Sequence, residues 1–386
     1  MHSRTIQRAV LVWGFLGALV SGSLQAAIIP AAPAIGASGY VLMDANSAKI
    51  IVEKNADERL PPASLTKLMT AYIVESEILS GRISLSDKTT ISEKAWSWGG
   101  SKMFVEVNTQ VSIEDLLRGL IIQSGNDAAI ALAEHVAGSE EAFAGMMNQY
   151  AAAFGMVNTN YVNASGWPAP DHYSTARDLA ILAQKIVTEH AGFYPMYAER
   201  EFTYNNITQS NRNSLLWRAP NVDGLKTGHT QEAGYCLVAS ATEDGMRLIS
   251  VVMGASSEAS REQESLKLLS YGFRYFTTKA LYTAASPLNS SRVWAGMSDN
   301  VELGLSSDAI VTYPKGEDNA LKAQLAINPV IKAPVAMGDV LGTLSVSLDG
   351  EVVLERQLVA LADVPEAGFF KRIWDYILLF FFNLMN

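Results

Sequence analysis

The sequence predicts an α+β protein with a smaller all-β unit behind it and a helix at the C-terminus. Three observations lead to this fold class. Short β patterns lie at both ends of residues 39–276 and flank a helical middle, which suggests one sheet built from both ends with helices on its faces. Short alternating runs fill residues 292–364, and the last 18 residues form a strongly apolar segment.

In the first unit, hydrophobic periodicity and turn residues define the elements. The predicted strands span residues 39–44, 49–53, 202–205, 224–227, 235–241 and 247–253. The predicted helices span residues 64–79, 112–123, 127–136, 140–154, 175–189 and 261–276. Thr175 and Asp178 have the spacing of a capping box at the start of one of these helices.

The second unit follows a change to small and polar residues near residues 281–291. The dipeptide Asp349-Gly350 precedes a β-rich run, which is the pattern of a hairpin turn. We therefore expect a first domain over residues 27–285, an all-β domain over 286–362 and a terminal helix over 363–386.

Composition excludes several classes of protein. With 49% hydrophobic and 18% charged residues, the chain is too apolar to be disordered. Its net charge of −10 argues against nucleic acid as a main partner, because that binding needs basic patches. The single cysteine, Cys236, excludes an internal disulfide and a multi-cysteine metal site. Its apolar neighbours predict a buried thiol.

The first 26 residues have the pattern of an export signal. Arg4 and Arg8 precede an apolar core over residues 9–20, and small residues follow it. The core is too short to span a bilayer, although an uncleaved anchor is the alternative. Removing the segment takes away two arginines and no acid, which moves the net charge from −10 to −12.

The last residues predict an amphipathic helix that lies on a membrane surface. Its large apolar side chains recur at helical spacing: Phe369, Phe370, Ile373, Trp374, Ile377, Leu378 and Phe381. Lys371, Arg372 and Asp375 lie off this stripe, and we expect the two cations near lipid phosphates. The alternative is a helix packed into its own domain.

The segment Ser64-Leu-Thr-Lys67 places a hydroxyl and an amine one helical turn apart. The lysine can act as a base only if burial or a nearby cation lowers its pKa from about 10.4 toward 7. An N-cap serine beside a solvated lysine is the alternative, and this motif alone favours the alternative.

Two further motifs offer polar groups in turns or strands. Ser124-Gly-Asn126 falls between two predicted helices, where Gly125 permits a sharp turn that presents the hydroxyl and the amide. Lys226-Thr-Gly228 lies in a predicted strand, along which an extended substrate could pair. The alternatives are ordinary helix caps and an exposed edge strand with a solvated lysine.

In this order, the three motifs resemble those of the penicillin-recognising serine enzymes. The segments Pro62-Ala-Ser-Leu-Thr-Lys-Leu-Met-Thr70, Ile122-Gln-Ser-Gly-Asn-Asp127, Val222-Asp-Gly-Leu-Lys-Thr-Gly-His-Thr230 and Gly272-Phe-Arg274 look like the D-alanyl-D-alanine carboxypeptidases among the low-molecular-mass penicillin-binding proteins. The resemblance covers nearly the whole chain after the signal. It implies a penicillin-binding/β-lactamase-like domain with an antiparallel sheet, a trailing β domain and a peripheral anchor on the periplasmic face of the inner membrane.

The resemblance also implies roles for individual residues. Ser64 would attack the peptide carbonyl, Lys67 would take its proton, and Ser124 with Lys226 would relay a proton to the departing D-alanine. Asn126 would bind a peptide carbonyl, and the backbone N–H groups of Ser64 and His229 would form the oxyanion hole. Thr227 and Arg261 would hold the terminal carboxylate beside Gly228, although a surface arginine paired with Glu258 or Glu264 is the alternative for Arg261.

The implied substrates are peptidoglycan stem pentapeptides, and β-lactams would acylate the same serine; no cofactor or metal is implied. Two patterns do not support other chemistry. His172 has Asp171 beside it but no nucleophile elbow to complete a triad. Glu201 and Asn205 have the spacing of a deacylating pair, but their segment has a strand pattern. A β-lactamase and a non-catalytic wall-associated scaffold remain as alternative functions.

Overall fold

The computed structural model describes residues 29–385, so the export signal expected over residues 1–26 lies outside the described residues. In chain order the first unit contains β1 (Gly39–Asp44), β2 (Ile50–Lys54), α1 (Lys67–Leu79), β3 (Lys88–Thr90), α2 (Glu93–Ser97), β4 (Gln110–Ser112), α3 (Ile113–Ile122), α4 (Asn126–Ala137), α5 (Glu140–Ala153), α6 (Ala176–Glu189), β5 (Glu201–Tyr204), β6 (Ile207–Ser210), α7 (Leu215–Arg218), β7 (Val222–Thr230), β8 (Gly234–Glu243), β9 (Met246–Ala255) and α8 (Glu258–Tyr275).

Five strands form one antiparallel sheet in the order β2-β1-β9-β8-β7. The N-terminal strand β1 pairs with β9, which lies about 200 residues later in the chain, and Gly39 faces Met253 in the register. The sheet is therefore built from both ends of the unit, as the sequence predicts. This pairing also leaves β7 at one edge of the sheet.

Successive side chains of the central strand β9 enter two different cores. Ile249 and Val251 pack with the helical middle of the chain, whereas Leu248 and Val252 pack with α8 on the other face. This alternation follows from the two-residue period of a strand that is covered on both faces. The chain thus forms three layers, with α1 and α3–α6 on one side of the sheet and α8 on the other.

The predicted cap of α6 forms only in part. The Thr175 side chain accepts a hydrogen bond from the Asp178 backbone N–H at 3.1 Å, as an N-cap residue does. The Asp178 carboxylate turns instead toward the preceding loop, where it accepts from the Asn158 N–H and the Thr159 hydroxyl. Cys236 is buried in β8 as expected, and burial raises the pKa of its thiol to about 11.

The second unit contains β10 (Phe276–Tyr282), β11 (Asn289–Trp294), β12 (Asn300–Leu305), β13 (Ala309–Pro314), β14 (Leu321–Ile327), β15 (Ile331–Lys332), β16 (Val340–Leu348) and β17 (Glu351–Ala360). Its main sheet has the order β14-β16-β17-β12-β11-β15. The predicted hairpin at Asp349-Gly350 joins β16 to β17, and both turn residues have positive φ, as a type I′ turn requires.

The pairing of β10 places it with the second unit. This strand lies before residue 286, where the sequence analysis starts the β domain, yet it pairs with β13. Its long-range partner cannot be identified from local sequence. The two units also meet through polar side chains: the Thr278 hydroxyl donates to Asp44 Oδ2 at 2.5 Å, and the Ser47 and Thr312 hydroxyls are 2.6 Å apart.

The chain ends in α9 (Phe369–Met385), a helix that lies against the second unit. Its exposed side carries most of the apolar stripe that the sequence analysis identified. Over residues 29–385, no helix combines the length and the apolarity needed to cross a bilayer.

Candidate active site

Ser64 lies in a short 3-10 turn, Ala63–Thr66, that leads directly into α1. The predicted helix therefore begins as a tighter turn, and Lys67 is the first residue of the α-helix proper. The Lys67 Nζ lies 3.0 Å from Ser64 Oγ. Lys67 is only 1% exposed, so the alternative of a solvated lysine is wrong.

The Lys67 amine has three oxygen partners inside the protein. It lies 3.0 Å from Ser64 Oγ, 2.7 Å from Asn126 Oδ1 and 2.6 Å from the Ser165 carbonyl oxygen. A neutral amine has two hydrogens and one lone pair. It can therefore donate to the amide and the carbonyl, which only accept, and receive the Ser64 proton on its lone pair.

Burial is the main reason why the pKa of Lys67 falls from 10.5 to about 7. The carboxylate of Asp127 opposes this shift, and the positive charge of Arg212 adds to it. A pKa near 7 means that a large share of the amine is neutral at neutral pH. Lys67 can therefore act as a base without an additional activating group.

Ser124 and Asn126 come from the junction between α3 and α4. The left-handed residue at this junction is Ser124, with φ of 62°, while Gly125 has an ordinary φ of −57°. The turn that the sequence analysis assigns to Gly125 therefore occurs one residue earlier. It points the Ser124 hydroxyl into the interior, where this buried group has no hydrogen-bond partner among residues 29–385. The hydroxyl is free to bind a substrate or relay a proton.

A side chain at position 125 would clash. A Cβ there would lie 2.7 Å from the Asp127 Oδ1 atom and 3.2 Å from the Met103 backbone nitrogen. Asp127 is buried and accepts hydrogen bonds from three successive N–H groups, those of Met103, Phe104 and Val105. This carboxylate fixes the loop that carries Ser101. Sequence reasoning missed this role, although Asp127 ends one of the segments that carry the resemblance, because its partners lie in a loop that local sequence does not connect to it.

Strand β7 brings the third motif against the Ser64 turn. A Cβ on Gly228 would lie 3.1 Å from the Pro62 carbonyl oxygen and 3.3 Å from Ala63 Cβ, so only glycine allows this approach without displacing either atom. Because β7 is an edge strand, its outer backbone groups remain available for an extended substrate. Thr227 is buried, whereas His229 is exposed at the mouth of the site.

Lys226 is also buried, so the alternative of a solvated lysine in this strand is wrong. Its amine donates to the Thr227 carbonyl oxygen at 3.1 Å. Burial, together with the charges of Lys67, Arg212 and Arg261, holds the pKa of Lys226 well below its usual value. The site thus contains two buried amines whose charged forms disfavour each other.

A cavity of about 140 Å³ opens above these groups. The residues that line it are Ser64, Ser101, Ser124, Arg212, Thr227, Gly228, His229, Glu258 and Arg261. Arg261 is buried rather than on the helix surface. Among the described residues its Nε has no hydrogen-bond partner, and its other nitrogens reach the Gly228 carbonyl oxygen and Glu258 only at 3.5 Å. An underpartnered guanidinium at the wall of a cavity is suited to an anionic ligand such as a carboxylate.

Sequence reasoning missed Arg212, the second guanidinium in this cavity. Its Nε donates to the Gln123 carbonyl oxygen at 3.0 Å, which ties it to the end of α3. It lies in a polar loop without a motif, so nothing in its local sequence marks it as part of a site. Together with Arg261 it makes the cavity wall cationic in a chain whose net charge is −10.

His172, which the sequence analysis rejects as a member of a triad, has a different role beside the Ser64 turn. Its Nδ1 accepts from the Val162 N–H at 3.1 Å, which leaves the proton on Nε2, and Nε2 lies 2.8 Å from the Thr66 hydroxyl. Burial, together with the charge of Lys67, lowers the pKa of His172 to about 4. The neutral imidazole therefore joins the Ser64 turn to the loop that supplies the Ser165 carbonyl. Within the part of the chain that the structure describes, the ring nitrogens of His172 contact Val162 and Thr66 and not the Asp171 carboxylate, so the two residues do not form part of a triad.

Glu201 has no place in this site. It is exposed at the start of β5 and pairs with Ser210 of β6, as its strand pattern predicts. The deacylating pair considered for Glu201 and Asn205 is therefore not formed.

Comparison with known proteins extends this picture. The family model described as D-alanyl-D-alanine carboxypeptidase matches residues 26–257, and the model described as penicillin-binding protein 5, C-terminal domain, matches residues 276–366. The chain is 45% identical to the D-alanyl-D-alanine carboxypeptidase DacA of Escherichia coli strain K12, over 92% of this chain and 90% of that protein. It is 39% identical to DacF of Bacillus subtilis, over 86% of this chain and 87% of that protein.

Solved structures show the same similarity. Penicillin-binding protein 5 from Haemophilus influenzae superposes with a TM-score of 0.84 at 45% identity, covering 88% of this chain and all of the other. Penicillin-binding protein 6B from Escherichia coli superposes with a TM-score of 0.72 at 38% identity, covering 86% of this chain and 97% of the other.

Proposed function

This chain belongs to the D-alanyl-D-alanine carboxypeptidase family, and we propose from that premise how its own residues carry out the reaction. It is a serine-type carboxypeptidase that removes the C-terminal D-alanine from peptidoglycan stem pentapeptides and binds penicillin. The observation that carries the assignment of roles is the position of Lys67 Nζ, held between Ser64 Oγ, Asn126 Oδ1 and the Ser165 carbonyl.

In the acylation step, Ser64 Oγ attacks the carbonyl carbon of the bond between the two D-alanines. Lys67, neutral at that moment, takes the Ser64 proton. The negative oxygen of the tetrahedral intermediate is bound by the backbone N–H groups of Ser64 and His229. The proximity of β7 to the Ser64 turn supports this pairing.

The tetrahedral intermediate collapses when the nitrogen of the departing D-alanine receives a proton. The proton that Lys67 took from Ser64 passes to this nitrogen through the Ser124 hydroxyl, which has no hydrogen-bond partner among the described residues, and Lys67 becomes neutral again. Lys226 on β7 supports the transfer. The C–N bond breaks, free D-alanine leaves and the remaining peptide is an ester on Ser64. Water then attacks this ester, with Lys67 as its base, and restores the serine.

Substrate orientation depends on the remaining polar groups. The terminal carboxylate binds between the Thr227 hydroxyl and the guanidinium of Arg261, with Arg212 adding positive charge. Asn126 has two amide hydrogens, of which one donates to the Gly99 carbonyl at 2.8 Å, so the other is free for a peptide carbonyl. A β-lactam acylates Ser64 because its strained amide occupies the position of the scissile bond.

The assignment of Ser64 is tested with labelled penicillin. We expect covalent labelling of the native protein and no labelling of Ser64→Ala, because the attacking oxygen is absent. Ser270→Ala, which removes an exposed hydroxyl of α8, should label like the native protein. Stable labelling of Ser64→Ala would show that another residue is the nucleophile.

We also propose where the enzyme works. The signal over residues 1–26 exports it, and α9 then holds it on the periplasmic face of the inner membrane. The exposed apolar side of α9 supports this attachment. The first unit holds the catalytic site, residues 286–362 and β10 form the β domain, and residues 363–386 form the anchor. The N-terminal residue of the exported protein tests the signal, since cleavage after residue 26 predicts Ala27.

A further inference from the structure

The terminal helix α9 contacts the second unit along one narrow stripe. Lys371, Asp375, Leu379 and Phe382 lie three to four residues apart and therefore share one side of the helix. Asp375 and Leu379 are buried, and the Phe382 ring lies 5.8 Å from the ring of Trp294 in β11. The helix is thus packed on its domain by the side that carries charge, whereas the sequence analysis offered packing and membrane contact as alternatives.

Asp375 is the centre of this contact. Its Oδ2 accepts from the Ala295 backbone N–H at 2.9 Å, directly after β11. Lys371 lies 3.5 Å from the same carboxylate, and Arg292 of β11 lies 3.8 Å from its other oxygen. A buried carboxylate with one backbone donor and two cations fixes both the rotation and the position of the helix.

The cations of α9 are occupied within the protein. Lys371 donates to the Gly296 carbonyl at 2.6 Å and lies 2.7 Å from Asp299, and Arg372 lies 2.5 Å from Glu366. Lys371 and Arg372, which the sequence analysis expects near lipid phosphates, thus each have an acidic partner within the protein. The outer side of the helix carries no unpaired charge among the residues that the structure describes.

That outer side is strongly apolar. Phe370 is 87% exposed, Phe380 is 65% exposed and Trp374 is 61% exposed. Large apolar side chains that protrude from a helix are accommodated well by a soft apolar phase. Because they carry no charge, they provide no electrostatic complementarity to an acidic or a basic protein. The hydrocarbon boundary of a bilayer meets both conditions, with Trp374 and Tyr376 suited to its polar edge.

Two exposed methionines lie on loops joined to the segment that leads into α9. Met297 is 69% exposed, and its N–H donates to the Pro365 carbonyl at 2.8 Å. Met337 is 70% exposed, and its N–H donates to the Asp363 carboxylate at 2.7 Å. The same segment pairs with both loops through the bridges of Gly296 with Glu366 and of Val335 with Val364.

We propose that the lipid-binding surface of this protein is composite: the outer side of α9 and the side chains of Met297 and Met337 enter the bilayer together, because Asp375 fixes the helix beside both loops. This inference rests on the proposed membrane attachment and deepens it. It also predicts that binding is driven by apolar burial and depends little on anionic lipid, since the cations of the helix are already paired.

The experiment measures the partition of the purified protein, after removal of the signal, into two kinds of vesicle. One contains phosphatidylcholine alone, and the other contains phosphatidylcholine with about 30% phosphatidylglycerol, an anionic lipid to which basic protein segments bind. We expect similar partition into both and little change with added salt. A partition coefficient that rises steeply with the anionic lipid would contradict the claim that apolar burial drives binding. Self-association into dimers without uptake by either vesicle would identify a second copy as the partner instead.

The contribution of the loops is tested by the double variant Met297→Ser/Met337→Ser. We expect its partition coefficient to fall roughly tenfold or more, because each buried methionine side chain contributes substantially to transfer. Val157→Ser removes a side chain of similar exposure (80%) from the first unit and should leave partition unchanged. D-alanine release by each variant checks that the protein is folded.

The role of Asp375 is tested by combining these changes with Asp375→Asn, which keeps the shape but removes the charge. If Asp375 holds the helix beside the loops, the methionine changes lose most of their effect in the Asp375→Asn protein, so the two sets are not additive. Additive effects would show that Asp375 does not hold α9 beside the two loops. If the native chain enters neither vesicle, the membrane attachment itself fails; if it enters but the methionine changes have no effect, only the composite surface fails.

Discussion

At the scale of single residues, the proposed mechanism depends on a lysine, Lys67, whose pKa is lowered to about 7, mainly by burial. The charge of Arg212 contributes to this pKa in the same direction. Only the neutral amine can accept the Ser64 proton. The rate of acylation should therefore rise as pH increases through about 7 and level off above it, as measured by the rate of penicillin labelling.

Arg212 offers a direct test of this cause. Replacing it by glutamine removes a positive charge that lowers the pKa of Lys67, so the acidic limb of the pH–rate profile should move to higher pH. Arg212→Lys keeps the charge and should keep the midpoint near that of the native enzyme. An unchanged midpoint in Arg212→Gln would mean that this charge does not act on Lys67.

His172 should influence rate without influencing the pH midpoint. Its ring joins Thr66 to the loop of Ser165, and a pKa of about 4 keeps it neutral throughout the working range. We expect His172→Ala to slow acylation by roughly 10- to 100-fold through misplacement of the reacting groups. His172→Gln, which offers one donor and one acceptor, should recover part of the rate.

A pH–rate profile distinguishes this positioning role from acid–base catalysis by His172. The profiles of His172→Ala and of the native protein should have the same midpoint and differ only in height. Loss of the acidic limb in His172→Ala would identify the imidazole, and not Lys67, as the titrating base.

The residues that sequence could identify are those with a motif. Ser64, Ser124 and Lys226 each belong to a short pattern, and the structure brings all three patterns to one place. Arg212 belongs to no pattern, and the Asp171-His172 pair indicates only an incomplete triad. The positions of Arg212 and His172 depend on loops that pack from distant parts of the chain. A side chain placed by tertiary contact leaves no trace at fixed spacing in the sequence.

At the scale of elements, the loop that contains Ser165 is held against the Ser64 turn by a glycine. Gly166 has φ of +79°, and a Cβ there would lie 1.8 Å from the Ala63 carbonyl oxygen. We expect Gly166→Ala to displace the loop, and with it the Ser165 carbonyl that binds Lys67. Penicillin labelling should become at least about tenfold slower, since displacements of this size are costly in catalysis.

Gly138 provides the matched control. It has the same φ of +79° at the end of α4, but among the described residues no atom of another part of the chain lies within 4 Å of its Cβ position. Gly138→Ala therefore carries only the backbone cost of about 1 kcal/mol, visible as a lower Tm, and should label at the native rate. Equal labelling rates for the two variants would contradict the role of Gly166.

Long elements were predictable because their periodicity extends over many residues. The spans of α5, α6 and β9 lie within about two residues of those expected. Short elements such as β3, β4 and α7 have three or four residues and too little pattern to be identified. The pairing of β10 was missed for a different reason, because its partner β13 lies about 30 residues further along the chain.

At the scale of the whole molecule, the site forms where three layers of the first unit meet. Three separate stretches of the chain supply the site: the Ser64 turn, the edge strand β7 and the first turn of α8. Strand β1 precedes the Ser64 turn and β9 precedes α8, so the pairing of β1 with β9 holds the early and late stretches in one sheet. The second unit contributes none of the residues that line the cavity. The second unit instead packs against α9 through Ala295 and Trp294.

The most direct test of the central claim is release of free D-alanine from a diacylated L-Lys-D-Ala-D-Ala peptide. The native protein should release one D-alanine per peptide over many turnovers, and Ser64→Ala should be slower by about three orders of magnitude or more. A native protein that binds penicillin but releases no D-alanine would contradict the assignment as a carboxypeptidase. Hydrolysis of penicillin at tens of molecules per second, on the order of ordinary enzyme turnover, would contradict it in favour of a β-lactamase.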